Sequence, residues 1–184
     1  MDLDFLKKWS AGEEDAFLAF YDQYKGTVFK TAFLISGSFA EAEDITQEVF
    51  LAAWKARHTY NPEKGKLATW LTQITVRQAI RQGKKQHRWF PLEEVKISSS
   101  SFPEEKVINK LEYQAMLKTL DELPVKQRTV IVLRYFNDLS LSQIAATLKI
   151  PLGTVKSRLH QGLSQLGQKI YPAAKKENPK KVYR

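Results

Sequence analysis

The chain has 184 residues, 43% of them hydrophobic, with no cysteine and a formal net charge of +9. It can bury one medium core or two small ones, and it excludes a disulfide framework and any thiolate metal site. The charge favours a polyanionic partner and is unevenly spread: residues 1–60 carry 6 basic and 10 acidic side chains, a net of −4, and the remainder carries a net of +13.

The opening MDLDFLKKWSAGEED lacks the basic start and continuous apolar stretch of a signal peptide. No apolar run is long enough to span a bilayer, so the protein is expected in the cytoplasm. Residues 15–35 place Phe17, Phe20, Tyr21, Tyr24, Val28, Phe29 and Phe33 at spacings of three and four, an amphipathic helix that breaks near Gly37. A second helix runs from Ala40 to Arg57, acidic early and basic late as the helix dipole prefers. Asn61-Pro62 ends it, and a third helix spans Ala68 to about Gln82. The stretch QGKKQHRWFPLEEVKISSSSFPEE, with Pro91, Pro103 and four serines from Ser98 to Ser101, buries too little surface to order itself and reads as a flexible linker. Helix resumes near Glu104, with Val107, Leu111, Leu117 and Leu120 on one face, is punctuated at Pro124, and continues to Phe136. No convincing alternating strand occurs. The fold class is all-α: two small helical domains, with the halves expected to move independently.

The sharpest local pattern is DLSLSQIAATLKIPLGTVKSRLHQGLSQL, which begins at Asp138. Ser140 and Gln143 form a capping box, and Leu141, Ile144, Ala145 and Leu148 give the following helix an apolar face. A turn at residues 149–153 leads into a helix with Val155, Leu159, Leu163 and Leu166 on one side. Lys156, Ser157, His160 and Gln161 lie on the opposite arc. Two helices, a short turn and a polar outward face make a helix-turn-helix, whose long side chains suit phosphates and base edges. An ordinary amphipathic helix pair gives part of the same pattern.

The stretch LPVKQRTVIVLRYFNDLSLSQIAATLKIPLGTVKSRLHQGLSQL resembles the C-terminal promoter-reading domain of bacterial sigma-70-type initiation factors. AEDITQEVFLAAW followed by KLATWLTQITVRQAI resembles their N-terminal core domain. In this order the two resemble an extracytoplasmic-function sigma factor over about residues 12–170. The resemblance implies a core domain over 1–88, a linker over 89–104 and a helix-turn-helix domain over 105–170. It leaves a basic, disordered tail over 171–184.

The same resemblance implies roles for individual residues. Asp44, Gln47, Glu48, Phe50 and Trp54 match the helix that docks on the clamp helices of the polymerase largest subunit. Trp54 is either an outward anchor or a side chain packed within its own domain. Asn61, Lys64, Lys66 and Thr69 belong to the loop that takes a flipped base of the minus-10 element. Arg77, Arg81, Lys84, Lys85 and Arg88 would track melting DNA, and Arg77 and Arg81 depart from the residues common in the family. Trp70 and Leu71 match a core feature. Thr154, Lys156, Ser157, Arg158, His160 and Gln161 would read the minus-35 element. Gln161 stands where Arg is common, and Lys149 stands where Gly is common at a turn that favours a left-handed backbone.

The resemblance further implies core RNA polymerase and promoter DNA as partners, and an anti-sigma factor, often membrane-anchored, in a stress response. It implies no small-molecule substrate, cofactor or metal. Two other readings stand beside it. A stand-alone helix-turn-helix regulator would not need the N-terminal domain. An enzyme such as a nuclease finds no catalytic or ligand spacing among His58, His87, His160 and the carboxylates.

Overall fold

Spacings of three and four produce helices throughout the described residues, 3–85 and 110–170 of a computed structural model. The helices are α1 (Leu3–Ala11), α2 (Glu14–Ser36), α3 (Phe39–Lys55), α4 (Leu67–Lys85), α5 (Lys110–Asp121), α6 (Val125–Tyr135), α7 (Leu141–Leu148) and α8 (Leu152–Ile170), and no strand occurs among the described residues. The serine-rich stretch, Arg88 and the basic tail lie outside them.

Local chemistry sets most boundaries. Gly37 takes a left-handed backbone (φ 77°) after α2 and donates its N–H to Phe33 O at 2.8 Å. Ser38 Oγ then accepts from Glu41 N at 3.3 Å and starts α3. The α7 capping box forms with both arms, Gln143 N to Ser140 Oγ at 3.2 Å and Ser140 N to Gln143 Oε1 at 2.8 Å. Lys149 caps the other end at φ 53°, a conformation a side chain adopts at a cost of about 1–2 kcal/mol.

In the N-terminal half, α2, α3 and α4 pack on one another around Phe20, Ile35, Ile45, Val49, Leu71 and Val76. The sequence reading missed α1, which closes the bottom of this core. Its Trp9 is fully buried, with the ring 4.2 Å from Phe20 and 5.7 Å from Trp54. Burying such a side chain contributes roughly 1.5–3 kcal/mol, enough to hold a helix of nine residues that would be marginal alone.

In the C-terminal half, α8 lies across α5, α6 and α7. Val155, Ile144, Val130 and Leu133 are fully buried there. Gly162 allows the close approach of α8 to α6, since a Cβ there would sit 2.7 Å from Ile131 Cδ1.

The two halves also touch each other. α2 packs on α5 and α6, and α4 touches α7, so the buried residues form one continuous core. Leu117 and Leu120 of α5 face Phe33 and Leu34 of α2. Asn137 Nδ2 donates to Thr31 Oγ1 at 2.9 Å, joining positions 106 residues apart.

Candidate nucleic-acid and partner interfaces

On α3 the apolar residues Ile45, Val49 and Ala53 turn inward, which leaves Asp44, Gln47 and Glu48 exposed along one side. Phe50 and Trp54, which match the same docking helix, turn toward α2. Phe50 is 3% exposed, with its ring 5.7 Å from Phe20 and 4.7 Å from Tyr21. Trp54 is half-buried, edge-on to Trp9 and Phe17, with the Arg57 guanidinium 4.5 Å above its ring. Both sit where α3 meets α2, and α1 supplies the cover for Trp54. The apolar residue that remains outside is Leu51, at 54% exposure, with Leu18 and Tyr21 also open on α2. At about 100° per residue Leu51 falls on the side of Gln47, away from Ile45 and Val49, and its bulk beside three polar residues was the available signal.

Between α3 and α4 the chain makes two 3-10 turns, Arg57–Thr59 and Pro62–Lys64. Asn61 Oδ1 accepts from Glu63 N at 2.8 Å, and the Tyr60 hydroxyl donates to Gly65 O at 3.0 Å, so the loop is tied at both ends. The Tyr60 ring lies 5.7 Å from Trp70. An open recess is walled by this loop, including Lys64 and Lys66, and by Tyr24 of α2 and Leu6 of α1. Burial, with Tyr60 nearby, pushes the Tyr24 phenol up, so it stays a neutral donor. Tyr24 and Leu6 were not expected at this place, because only the fold brings α1 and α2 to the loop. Thr69 is half-buried in the first turn of α4, and Lys64 and Lys66 are exposed.

Along α4, Arg77 and Arg81 are exposed. Arg77 Nε donates back to Gln73 O at 3.3 Å, and Arg81 faces Glu48 of α3 at 3.7 Å. Such exposed pairs are worth about 0–1 kcal/mol, so both cations stay available to an anion. Lys84 and Lys85 form the end of α4.

The helix-turn-helix is α7 and α8. With Val155 and Gly162 buried beneath, Lys156, Ser157, His160 and Gln161 stand exposed on the opposite arc, and Thr154 and Arg158 are half-buried at its edges. The Ser157 hydroxyl donates to Thr154 O at 3.1 Å, and Gln127 of α6 donates to Gln161 Oε1 at 3.4 Å. The arc therefore offers donors and one acceptor-donor amide on a rigid helix, a chemistry suited to base edges and phosphates. Among the described residues no three His, Cys, Asp or Glu side chains are grouped to hold a metal ion, and no helix is long and apolar enough to cross a membrane.

Comparison with known proteins agrees with both halves. Residues 20–89 match the family description Sigma-70 region 2, and residues 113–166 match Sigma-70, region 4. The chain is 32% identical over 177 residues to the ECF RNA polymerase sigma factor SigW of Bacillus subtilis, covering 90% of this chain and 94% of that protein. It is 29% identical over 159 residues to the ECF RNA polymerase sigma factor RpoE of Cereibacter sphaeroides, covering 85% and 87% of the two chains. Among solved structures, CnrH bound to the cytosolic domain of CnrY has the same fold at a TM-score of 0.67 and 20% identity, over 92% of this chain and 96% of that one. The sigma factor RpoE bound to the anti-sigma factor NepR, from Bartonella quintana, is similar at a TM-score of 0.64 and 20% identity, over 85% and 98%.

Proposed function

The chain belongs to the extracytoplasmic-function sigma factors, the promoter-specificity subunits of bacterial RNA polymerase, and on that premise we propose how its surfaces divide the work. The exposed side of α3, Asp44, Gln47 and Glu48 with Leu51 as its apolar centre, docks on the clamp helices of the polymerase largest subunit. Phe50 and Trp54 hold that helix in place from behind. The recess at the 61–69 loop takes one extruded base of the minus-10 element, with Lys64 and Lys66 in its wall, the Tyr24 and Tyr60 rings to stack on, and Asn61 and Thr69 at the two ends of the loop that forms it. Arg77, Arg81, Lys84 and Lys85 follow the backbone of the melting strand through sequence-tolerant phosphate contacts.

The outer arc of α8, Thr154, Lys156, Ser157, Arg158, His160 and Gln161, enters the major groove of the minus-35 element. The polymerase performs the chemistry, in the cytoplasm, and this chain supplies no catalytic group. As for the Bartonella relative, which is held by an anti-sigma factor, an anti-sigma factor controls this chain.

One observation carries the reading: a single helix, α8, is apolar beneath and uncovered, polar and rigidly held above. Transcription in vitro with core polymerase on a promoter library tests it. Folded protein should give promoter-dependent transcripts; their absence would sink the proposal.

A further inference from the structure

We propose that α1 is a positioning element of the minus-10 recess: fastened to Arg57 at Gly12, it sets the wall against which the extruded base is held. This rests on the reading above, in which the recess takes that base. α1 lies outside both stretches that match the sigma-70 regions.

Gly12 ends α1 with a left-handed backbone (φ 83°) and donates its N–H to Lys8 O at 3.0 Å. Its backbone lies against Arg57: a Cβ there would sit 2.8 Å from Nη2 and 3.0 Å from Nε, so both the conformation and the space call for glycine. Arg57, half-buried, turns its other groups to protein as well. Nη1 donates to Trp54 O at 3.0 Å, and the guanidinium lies 4.5 Å over the Trp54 ring, which is edge-on to Trp9 of α1. Arg57 therefore fastens helices rather than meeting a phosphate, unlike the exposed Lys64 and Arg77. A helix of nine residues is marginal alone, so its place depends on these few contacts.

The same arginine roots the recess. Arg57 begins the 3-10 turn Arg57–Thr59, and Tyr60 follows directly, with its hydroxyl tied to Gly65 O and its ring beside Trp70. Six residues before Gly12, Leu6 of α1 stands in the recess wall with Tyr24 and Tyr60. α1 thus bears on the recess twice, directly through Leu6 and through Arg57 at the root of the loop. Stacking rewards a wall at van der Waals distance, and a gap of about 0.5–1 Å forfeits about a quarter to a half of the attraction. A small drift of α1 therefore loosens the base while the helices behind it stay packed.

The test uses core polymerase carrying the full chain and the single-stranded minus-10 segment of a promoter that this complex transcribes, intact or with one base at a time replaced by an abasic site. With the parent chain, the position of the extruded base should show the largest weakening, at least about tenfold. Gly12→Ala opens the fastening and leaves every recess side chain in place; it should cut that factor to about threefold or less, with the factors at other positions and the affinity for core polymerase unchanged. Arg57→Lys keeps the charge and loses the planar face, so it should do the same without altering the salt dependence. Unchanged factors in both variants, or an equal loss at every position as a merely loosened core would give, overturn the inference. Leu6→Ala thins the wall without touching the fastening and should lower the same factor; if either other variant loses its helical ellipticity, Leu6→Ala decides, and an unchanged factor there overturns the inference. A parent chain with no such position sinks the base-recess reading and the inference with it, whereas a parent factor that the variants leave intact sinks the inference alone.

Discussion

Gly162 and Gly26 are both inside long helices, yet a methyl group added at each should act in opposite directions. Alanine gains about 0.8–1.0 kcal/mol over glycine in a helix interior. At Gly26 in α2 nothing lies within 4 Å of the new Cβ, so that gain stands alone and Gly26→Ala should stabilise by about 1 kcal/mol. At Gly162 in α8 the Cβ would meet Ile131 Cδ1 at 2.7 Å and Gln127 Cβ at 3.3 Å. Ile131 is itself buried in the core and has little room to turn. Overpacking of this kind costs about 1–3 kcal/mol, so Gly162→Ala should come out between neutral and about 2 kcal/mol destabilising. Urea unfolding followed by far-ultraviolet circular dichroism measures both. Equal stabilisation by the two variants would refute the close approach of α6 and α8.

Three further outcomes follow from the same coordinates. Leu51→Ala should weaken core-polymerase binding in a pull-down titration with melting unchanged, whereas Phe50→Ala should cost about 3–5 kcal/mol of stability because its ring fills the α2–α3 seam. Lys156→Ala and His160→Ala should leave melting unchanged and relax selection at individual minus-35 positions by about 1–3 kcal/mol, read by binding to a randomised-site library. Burial raises the Glu41 carboxyl above its ordinary range; Arg128 opposes this, while Asp44 and Asp121 add to it. The folded chain therefore holds that proton more tightly than the unfolded one. The resulting stability is fully present below the ordinary carboxylate range and is lost as pH rises through the raised value. Glu41→Gln should stabilise at neutral pH and flatten that slope in melts across the acid range.

What could be read in advance was what a few neighbouring residues decide. The Ser140–Gln143 box, the break at Gly37 and the two arcs of α8 each depend on spacings of three or four, and each stands in the structure as expected. Lys149 was legible for the same reason: a turn that favours glycine forces any other residue into the left-handed region, and it is found there. The helical wheel sets Trp54 outward with Gln47 and Leu51, and its half-buried state escapes that reading because its cover comes from Trp9, on a helix too short to announce itself. The recess and the packing of α2 on α5 and α6 escaped for a different reason. Tyr24 reaches the loop at Tyr60, and Thr31 reaches Asn137, only through tertiary packing, for which no local pattern in the chain is a signal.

The four tryptophans, at positions 9, 54, 70 and 89, all precede α5, so every indole in the molecule belongs to its first half by sequence. Tryptophan emission therefore observes one half, whereas helical ellipticity observes both. Since Leu117, Leu120 and Val130 share one core with Phe33 and Ile35, the two signals should lose their native values at the same denaturant concentration. The distribution of its own chromophores thus equips the protein to report, without any label, whether its halves melt as one body or as two.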